Sequence, residues 1–307
     1  MMIYHEAEEI LHVGQPWGGL HERLTGRQLA RGLHFNVSTT PETQPWLELL
    51  DAGTFSAETL KRTPTSFQVD ALWISKLKES AVKHGWTWLH HVFVGTAELE
   101  IGNTADAMDH FTKSMAMQPS VHAARGLAVF VDASNASHFF DEAWKAWNAV
   151  DTADSAKFRL GADLAKEYSS WLVAKAQATG DWQPLMVFVK SVETECGSFC
   201  MEQDLVLLAR ANLELHFKKD PHACIATIRS QCFPTFSNQR GDVNAVWWAA
   251  NLAIESARLG HPLSKMETVR LRRNLGCDGE DASTHVAAKA PLKDTCVVGP
   301  PNIGYPY

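Results

Sequence analysis

Apolar residues recur at helical spacing along most of the chain, and the clearest example lies within residues 86–119. Its first half places Trp86, Leu89 and Phe93 on one face of a helix, because residues three or four positions apart share a face. The glycine and asparagine at positions 102–103 then interrupt the pattern, as turn residues do. This part of the segment therefore predicts a helix followed by a tight turn.

A second helix is predicted directly after that turn. Ala107, Phe111 and Met115 fall on its apolar stripe, and Pro119 ends it. Thr104 is a residue type that caps helix N-termini, because its hydroxyl accepts a hydrogen bond from an otherwise free backbone N–H. We therefore predict an antiparallel pair of helices in this segment.

The predicted pair resembles the tetratricopeptide repeat, a helix–turn–helix unit of about 34 residues that stacks on further copies of itself. Small residues would let the two helices approach closely, and one large aromatic residue would fill the space before the next pair. His91 and Glu98 stand where the repeat usually has an aromatic residue and a tyrosine. Six other positions agree with the repeat in type and spacing: Gly95, Gly102, Ala107, Phe111, Ser114 and Pro119.

Weaker copies of the helix pair follow along the chain. Ala143 and Trp147 lie 36 residues beyond the alanine and phenylalanine that correspond to them in the first pair, close to the repeat period of about 34 residues. In the last pair, Ser264 and Glu267 form a predicted capping box of the S-x-x-E type. Further pairs are predicted within residues 171–189, 205–228 and 243–276.

The two ends of the chain differ from its middle. Residues 1–80 contain more proline, glycine and threonine, whereas residues 276–307 show little periodicity and are predicted to form a flexible tail. Short helices are predicted near residues 4–13, 46–51 and 70–84. The predicted fold is therefore all-α: an α-solenoid of tetratricopeptide-like helix pairs over residues 81–275, with an irregular region before it.

A stack of such pairs is curved, and in tetratricopeptide domains the first helix of each pair lines the concave surface. By that analogy, Leu89, Val92, Thr96 and Glu100 are predicted to line it here. Surfaces of this kind bind an extended peptide or another protein domain. The first expectation is therefore a non-catalytic interaction scaffold with a protein partner.

The composition excludes some other partners. The formal net charge of −7 has the wrong sign for a nucleic-acid surface, which uses Lys and Arg to neutralise phosphates. No apolar run approaches the roughly 20 residues needed to cross a bilayer, so no membrane partner is predicted. Six cysteines in 307 residues are too few for a disulfide framework, which favours a reducing, cytoplasmic setting.

Four segments of the chain carry a wider resemblance, in this order: residues 13–22, 45–55, 86–128 and 232–236. Through them the chain is similar to the C-terminal helical half of a family of large bacterial and fungal proteins. In these proteins, a β-sandwich of the kind found in carbohydrate-active enzymes precedes tetratricopeptide-like helices. The resemblance implies a link to carbohydrates and a β-sandwich as the natural protein partner, but no catalytic residue in this chain.

The alternative function is therefore the helical half of a carbohydrate-active protein. Trp17 can stack on a sugar ring, and Glu22 can supply a carboxylate of the kind that glycoside hydrolysis uses. Such carboxylates must lie about 5–10 Å apart in a cleft, which proximity in sequence does not provide. The competing interpretation places Trp17 in a packed core, since aromatic residues dominate cores by area.

Motifs for other chemistry are sparse. The sequence contains no G-x-S-x-G, G-x-x-x-x-G-K-[ST] or G-x-G-x-x-G motif. His216, His222, Cys224 and Cys232 form a conceivable zinc set, but their spacing is irregular and free cysteine is usually buried. We therefore predict no catalytic residue, no cofactor and no metal ligand.

Overall fold

A computed structural model gives the structure of the chain. All regular secondary structure within the ranges it describes is helical, which confirms the all-α prediction. None of these helices is both long and apolar enough to cross a membrane. The described residues are 17–29, 35, 37–131, 133–151, 156–230, 243–261 and 263–267.

The chain divides into two compact units, residues 1–157 and 158–307. The division falls inside the predicted array of residues 81–275, whereas the predicted helix near 4–13 and the tail 276–307 lie outside the described residues. The first unit contains α1 (Trp17–Thr25), α2 (Gln44–Asp51), α3 (Ala71–His84), α4 (Trp88–Glu100), α5 (Thr104–Met117), α6 (Val121–Phe130) and α7 (Ala133–Asn148).

An aromatic cluster forms the centre of the first unit. Trp46 packs edge-on against Trp73, with 5.2 Å between the ring centroids, and against Phe93 at 4.5 Å. The indole nitrogen of Trp46 donates a 3.1 Å hydrogen bond to Ser66 Oγ, which in turn donates to the Glu42 carbonyl. The buried tryptophan therefore leaves no polar atom unsatisfied while it joins α2, α3 and α4.

Phe111 fixes the spacing of three consecutive helices. It extends from α5 between Gly95 of α4 and Gly126 of α6. A Cβ atom added to Gly126 would lie 2.5 Å from the Phe111 ring, and one added to Gly95 would lie 2.9 Å from it. Glycine is therefore required at both positions for α4 and α6 to approach the ring. Phe111 therefore lies between α4 and α6, while its predicted role between two tetratricopeptide-like pairs stays a prediction.

The ends of these helices follow local chemistry. Asp70 caps α3 by accepting hydrogen bonds from the backbone N–H groups of Leu72 and Trp73. Gly102 has a φ of +81°, as the predicted turn requires. The predicted cap of α5 is wrong by one residue: Asn103 occupies the N-cap position, and Thr104 is the first helical residue.

The second unit combines one long helix with several short ones. Its core contains Leu208 and Ile225, which pack with Ala250 and other small apolar residues. The predicted capping box is confirmed, since the Ser264 N–H donates to the Glu267 carboxylate and the Glu267 N–H donates to Ser264 Oγ. The helices are α8 (Ala156–Thr179), which starts at the unit boundary, α9 (Gln183–Ser191), α10 (Ser198–Met201), α11 (Asp204–Asn212), α12 (Pro221–Ser230) and α13 (Val243–Arg258).

The close approach at Phe111 gives a stability prediction. Gly126→Ala should lower the free energy of unfolding by about 1–3 kcal/mol, because the new methyl group overpacks against the ring. At an unconstrained helical site the same change would stabilise the protein, since alanine favours helix more than glycine does. Urea denaturation followed by circular dichroism measures the difference.

The control for that experiment replaces the Phe111 ring with a smaller side chain. Phe111→Leu should lose stability by itself, but it should reduce the further cost of Gly126→Ala, because the two sites are in contact. Additive losses in the double variant would contradict the proposed contact.

Candidate functional site

An open groove of about 840 Å³ lies between α3 and the C-terminal end of α4. Val82 is 81% exposed and Ile101 is 68% exposed, which is high for large apolar side chains on a folded surface. The groove therefore presents apolar surface that no other described segment of the first unit covers. Its apolar lining consists of Val69, Ala71, Ile74, Val82 and Ile101.

The lining follows the geometry of α3. Ala71, Ile74, Ser75, Lys78 and Val82 are spaced by three or four positions and so form a continuous stripe along the helix. This stripe lies beside the buried face that packs into the core. At about 1.5 Å rise per residue, its 11 steps extend roughly 16 Å, which is three helical turns.

An ion pair crosses the groove. Lys78 Nζ of α3 lies 3.0 Å from Glu98 Oε1 of α4. The other oxygen of Glu98 accepts a 3.1 Å hydrogen bond from the Asn103 side chain. Glu98 is buried, so both its oxygens have partners where an unpaired charge would be costly. The remaining polar lining residues are Ser75, Glu79 and Lys83.

The four residues predicted to line a partner surface have different environments. Leu89 is 1% exposed and Val92 is 0% exposed, so neither side chain has surface to offer a partner in this structure. Thr96 is half-buried, and its hydroxyl donates to the Val92 carbonyl at 2.9 Å. Glu100 is exposed. The partner-binding role stays a prediction for all four residues.

The reason for this difference lies in α4 itself. From Trp88 to Glu98 every residue except Thr96 is buried. When neighbouring helices cover a helix on several sides, nearly all of its positions are buried. Hydrophobic periodicity then cannot distinguish a position that faces a partner from one that faces the core. The sequence pattern does not indicate that Val82 and Ile101 are surface residues of a groove, because neither belongs to a predicted apolar face.

Trp17 and Glu22, the predicted sugar-stacking pair, both lie in α1. Trp17 is half-buried and packs against the aromatic core of the first unit. Glu22 Oε1 accepts a 3.0 Å hydrogen bond from the Leu29 backbone N–H. The neighbouring acids Glu6, Glu8 and Glu9 lie outside the described residues. The sugar-stacking role of Trp17 and Glu22 therefore stays a prediction.

A histidine cluster lies at the start of α4. His90 Nδ1 accepts a 3.2 Å hydrogen bond from the Thr87 backbone N–H, and Nε2 lies 3.0 Å from Ser80 Oγ. This arrangement requires Nδ1 without a proton, so the neutral ring donates from Nε2 to Ser80. Burial lowers the pKa of His90 to about 4, and the nearby His91 contributes to the shift.

His91 and His110 meet beside this cluster. Their Nδ1 atoms are 2.8 Å apart, and Trp86 stacks on the His91 ring with 4.7 Å between the centroids. Burial lowers the pKa of His91 to about 4 and lowers that of His110 as well. These rings are neutral at pH 7, and they join α4 to α5.

The histidines and cysteines of the second unit do not form the set considered from sequence. His216 stacks on Trp182, whereas Cys224 is buried and burial raises its pKa to about 11. Cys232 lies outside the described residues. His222 instead contacts His261, with 2.6 Å between the two Nδ1 atoms. No sequence spacing indicates a pair that is 39 positions apart.

Cys196 and Cys200 form a disulfide, which the low cysteine content did not lead us to expect. In the part of the chain that the structure describes, no three or more His, Cys, Asp or Glu side chains converge as a metal site.

Comparison with known proteins adds no family. No protein-family model, no curated protein and no solved structure matches this chain. The groove between α3 and α4 is therefore the strongest candidate for a functional surface on physical grounds alone.

The neutral His90 gives a pH prediction. In the unfolded chain a histidine has a pKa near 6.5, above the folded value, so the unfolded state binds more protons as the pH falls. His90 therefore favours folding fully above about pH 6.5 and loses this contribution towards pH 4, by roughly 3 kcal/mol at most. His90→Gln should flatten the decline in unfolding free energy between these values.

The matched control is His84→Gln, which changes an exposed histidine at the end of α3. Denaturant titrations from pH 4 to pH 7 measure both variants. An unchanged slope in His90→Gln, or an equal change in both variants, would contradict the assignment of His90 as a buried neutral ring.

Proposed function

We propose that this chain is an interaction scaffold that binds an amphipathic helix of a partner protein in the groove between α3 and α4. The observation that carries the proposal is the exposed apolar lining at Val82 and Ile101. Large apolar side chains grouped on a surface mark interaction sites, whereas apolar residues exposed singly do not.

The form of the groove favours a helix as the occupant. Its lining runs for about three helical turns, which suits a partner that inserts side chains at positions i, i+3, i+4 and i+7. An extended strand would need a sheet edge to pair with, and the described residues contain no strand. A helix has no such need because its own backbone hydrogen bonds are complete.

The lining favours a protein over a sugar. Its five apolar members are all aliphatic, so it offers no aromatic ring on which a sugar could stack. Both of its carboxylates already have partners, Glu98 in Lys78 and Asn103, and Glu79 in Lys76. The partner helix would therefore present an apolar stripe, flanked by polar residues that reach Glu79 and Lys83.

The helix pairing is consistent with this function. Phe111 packs between Gly95 and Gly126, and α3, α4, α5 and α6 each contact the next along the chain. We infer that these helices form a tetratricopeptide-like array, in which binding surfaces arise between neighbouring helices. The α3–α4 groove would be one such surface.

Site-specific photocrosslinking tests the proposal. A photoreactive amino acid at position 82 should capture one partner segment, and mass spectrometry should show apolar residues at helical spacing in it. The matched control is position 187, an exposed valine on α9 in the second unit. Capture of the same segment from both positions, or of a segment without helical periodicity, would contradict the proposal.

The captured segment then allows a direct binding measurement as a synthetic peptide. Val82→Asp should weaken its binding roughly tenfold or more, since a charge in an apolar contact removes over 1 kcal/mol. Val187→Asp should leave binding unchanged. Both changes are at exposed positions and should alter the stability of the chain by less than about 0.5 kcal/mol. If Val82→Asp and the wild type bind the peptide equally well, the groove is not the binding site of the captured segment.

A further inference from the structure

His222 and His261 form an exposed contact between two imidazole rings in the second unit. Their Nδ1 atoms are 2.6 Å apart, and the rings are nearly perpendicular, with 4.6 Å between the centroids. His222 is exposed and His261 is half-exposed, so solvent reaches the pair. The contact therefore places two nitrogen ligands together where a hydrated ion can reach them.

Both histidines are held by backbone interactions that do not involve their rings. The His222 backbone N–H donates to Asp220 Oδ1 at 3.0 Å, at the start of α12. The His261 backbone N–H donates to the Ser256 carbonyl at 3.0 Å, in the turn after α13. A ligand pair on fixed backbone loses less conformational freedom when it binds an ion than a pair on mobile chain.

The separation of the two nitrogens suits a particular coordination geometry. Two ligands about 2.0 Å from a metal ion lie roughly 2.8 Å apart at a 90° angle and roughly 3.3 Å apart at a tetrahedral angle. The two Nδ1 atoms share a hydrogen bond of 2.6 Å, and this separation is closer to the 90° value than to the tetrahedral one. Square-planar nitrogen sites of this kind are typical of Cu(II) and Ni(II).

We propose that His222 and His261 chelate a late first-row divalent metal ion, such as Cu(II), through their two Nδ1 atoms. Water would occupy the remaining positions, which accords with the absence of a third protein ligand among the described residues. In the hydrogen-bonded pair of neutral rings, one Nδ1 carries a proton. When both Nδ1 atoms bind the ion, that ring would give up its Nδ1 proton to solvent and take one on Nε2, so one ring changes tautomer and no net proton is released. The carboxylate of Asp220 beside His222 offsets the positive end of the α12 dipole.

The ion would act as a clip within the second unit. It would join the start of α12 to the turn after α13, two points 39 positions apart in sequence. A crosslink that closes a long loop lowers the conformational entropy of the unfolded chain and so stabilises the folded chain. Metal binding would therefore raise the resistance of this unit to unfolding.

The histidine pair of the first unit provides an internal comparison. His91 and His110 also place their Nδ1 atoms 2.8 Å apart, but His91 is buried and Trp86 stacks on its ring. An ion between those rings could not keep its water ligands. Removal of His110 should therefore leave the metal binding of the protein unchanged.

Titration of the untagged, thiol-blocked chain with Cu²⁺ tests the proposal. Calorimetry should show one ion bound most tightly, and electron paramagnetic resonance should show coupling to two nitrogen nuclei. His222→Ala and His261→Ala should each weaken this binding about a hundredfold, the order of gain that a second linked ligand provides. The double variant should be no weaker than either single one, because each removes the same chelate.

The control variant is His110→Gln, with circular dichroism to confirm that every variant is folded. Loss of the two-nitrogen signal in His110→Gln, and its retention in His222→Ala, would overturn the proposal in favour of the first unit. Equal binding in all variants, or a wild-type signal from a single nitrogen, would also overturn it.

Discussion

The burial of α4 is the constraint on which the first unit depends. This helix contacts the aromatic cluster through Phe93, and Gly95 lets Phe111 of the next helix approach its backbone. Because neighbours cover so much of its surface, Leu89 and Val92 belong to the core, and polar residues such as His90 and Glu98 are buried with their hydrogen bonds satisfied. Between α3 and the end of α4, the exposed Val82 and Ile101 leave apolar surface free, and there it forms the groove.

Helical periodicity predicted much of the local structure correctly. The turn at Gly102 and the capping box at Ser264 and Glu267 both follow from interactions between residues close in sequence. Such features are encoded locally, so a single sequence is enough to find them. The shift of the α5 cap from Thr104 to Asn103 is within the usual uncertainty of helix ends.

The candidate sites were harder to predict because they depend on tertiary contacts. The groove exists only when α3 and α4 pack together, and sequence alone assigns Val82 and Ile101 to no apolar stripe. The contact between His222 and His261 joins the start of α12 to the turn after α13, while Cys224, which the sequence pattern grouped with His222, is buried. Residue type therefore indicated which side chains can do chemistry, but not which of them meet.

Methyl NMR can show directly whether the α3–α4 groove recognises a partner helix. The isoleucine and valine methyl groups of the full chain are labelled with ¹³C, and the captured partner segment is then added. We expect the methyl signals of Ile74, Val82 and Ile101 to shift together while that of Val187 does not move. Shifts confined to the second unit, with the groove signals unchanged, would contradict it.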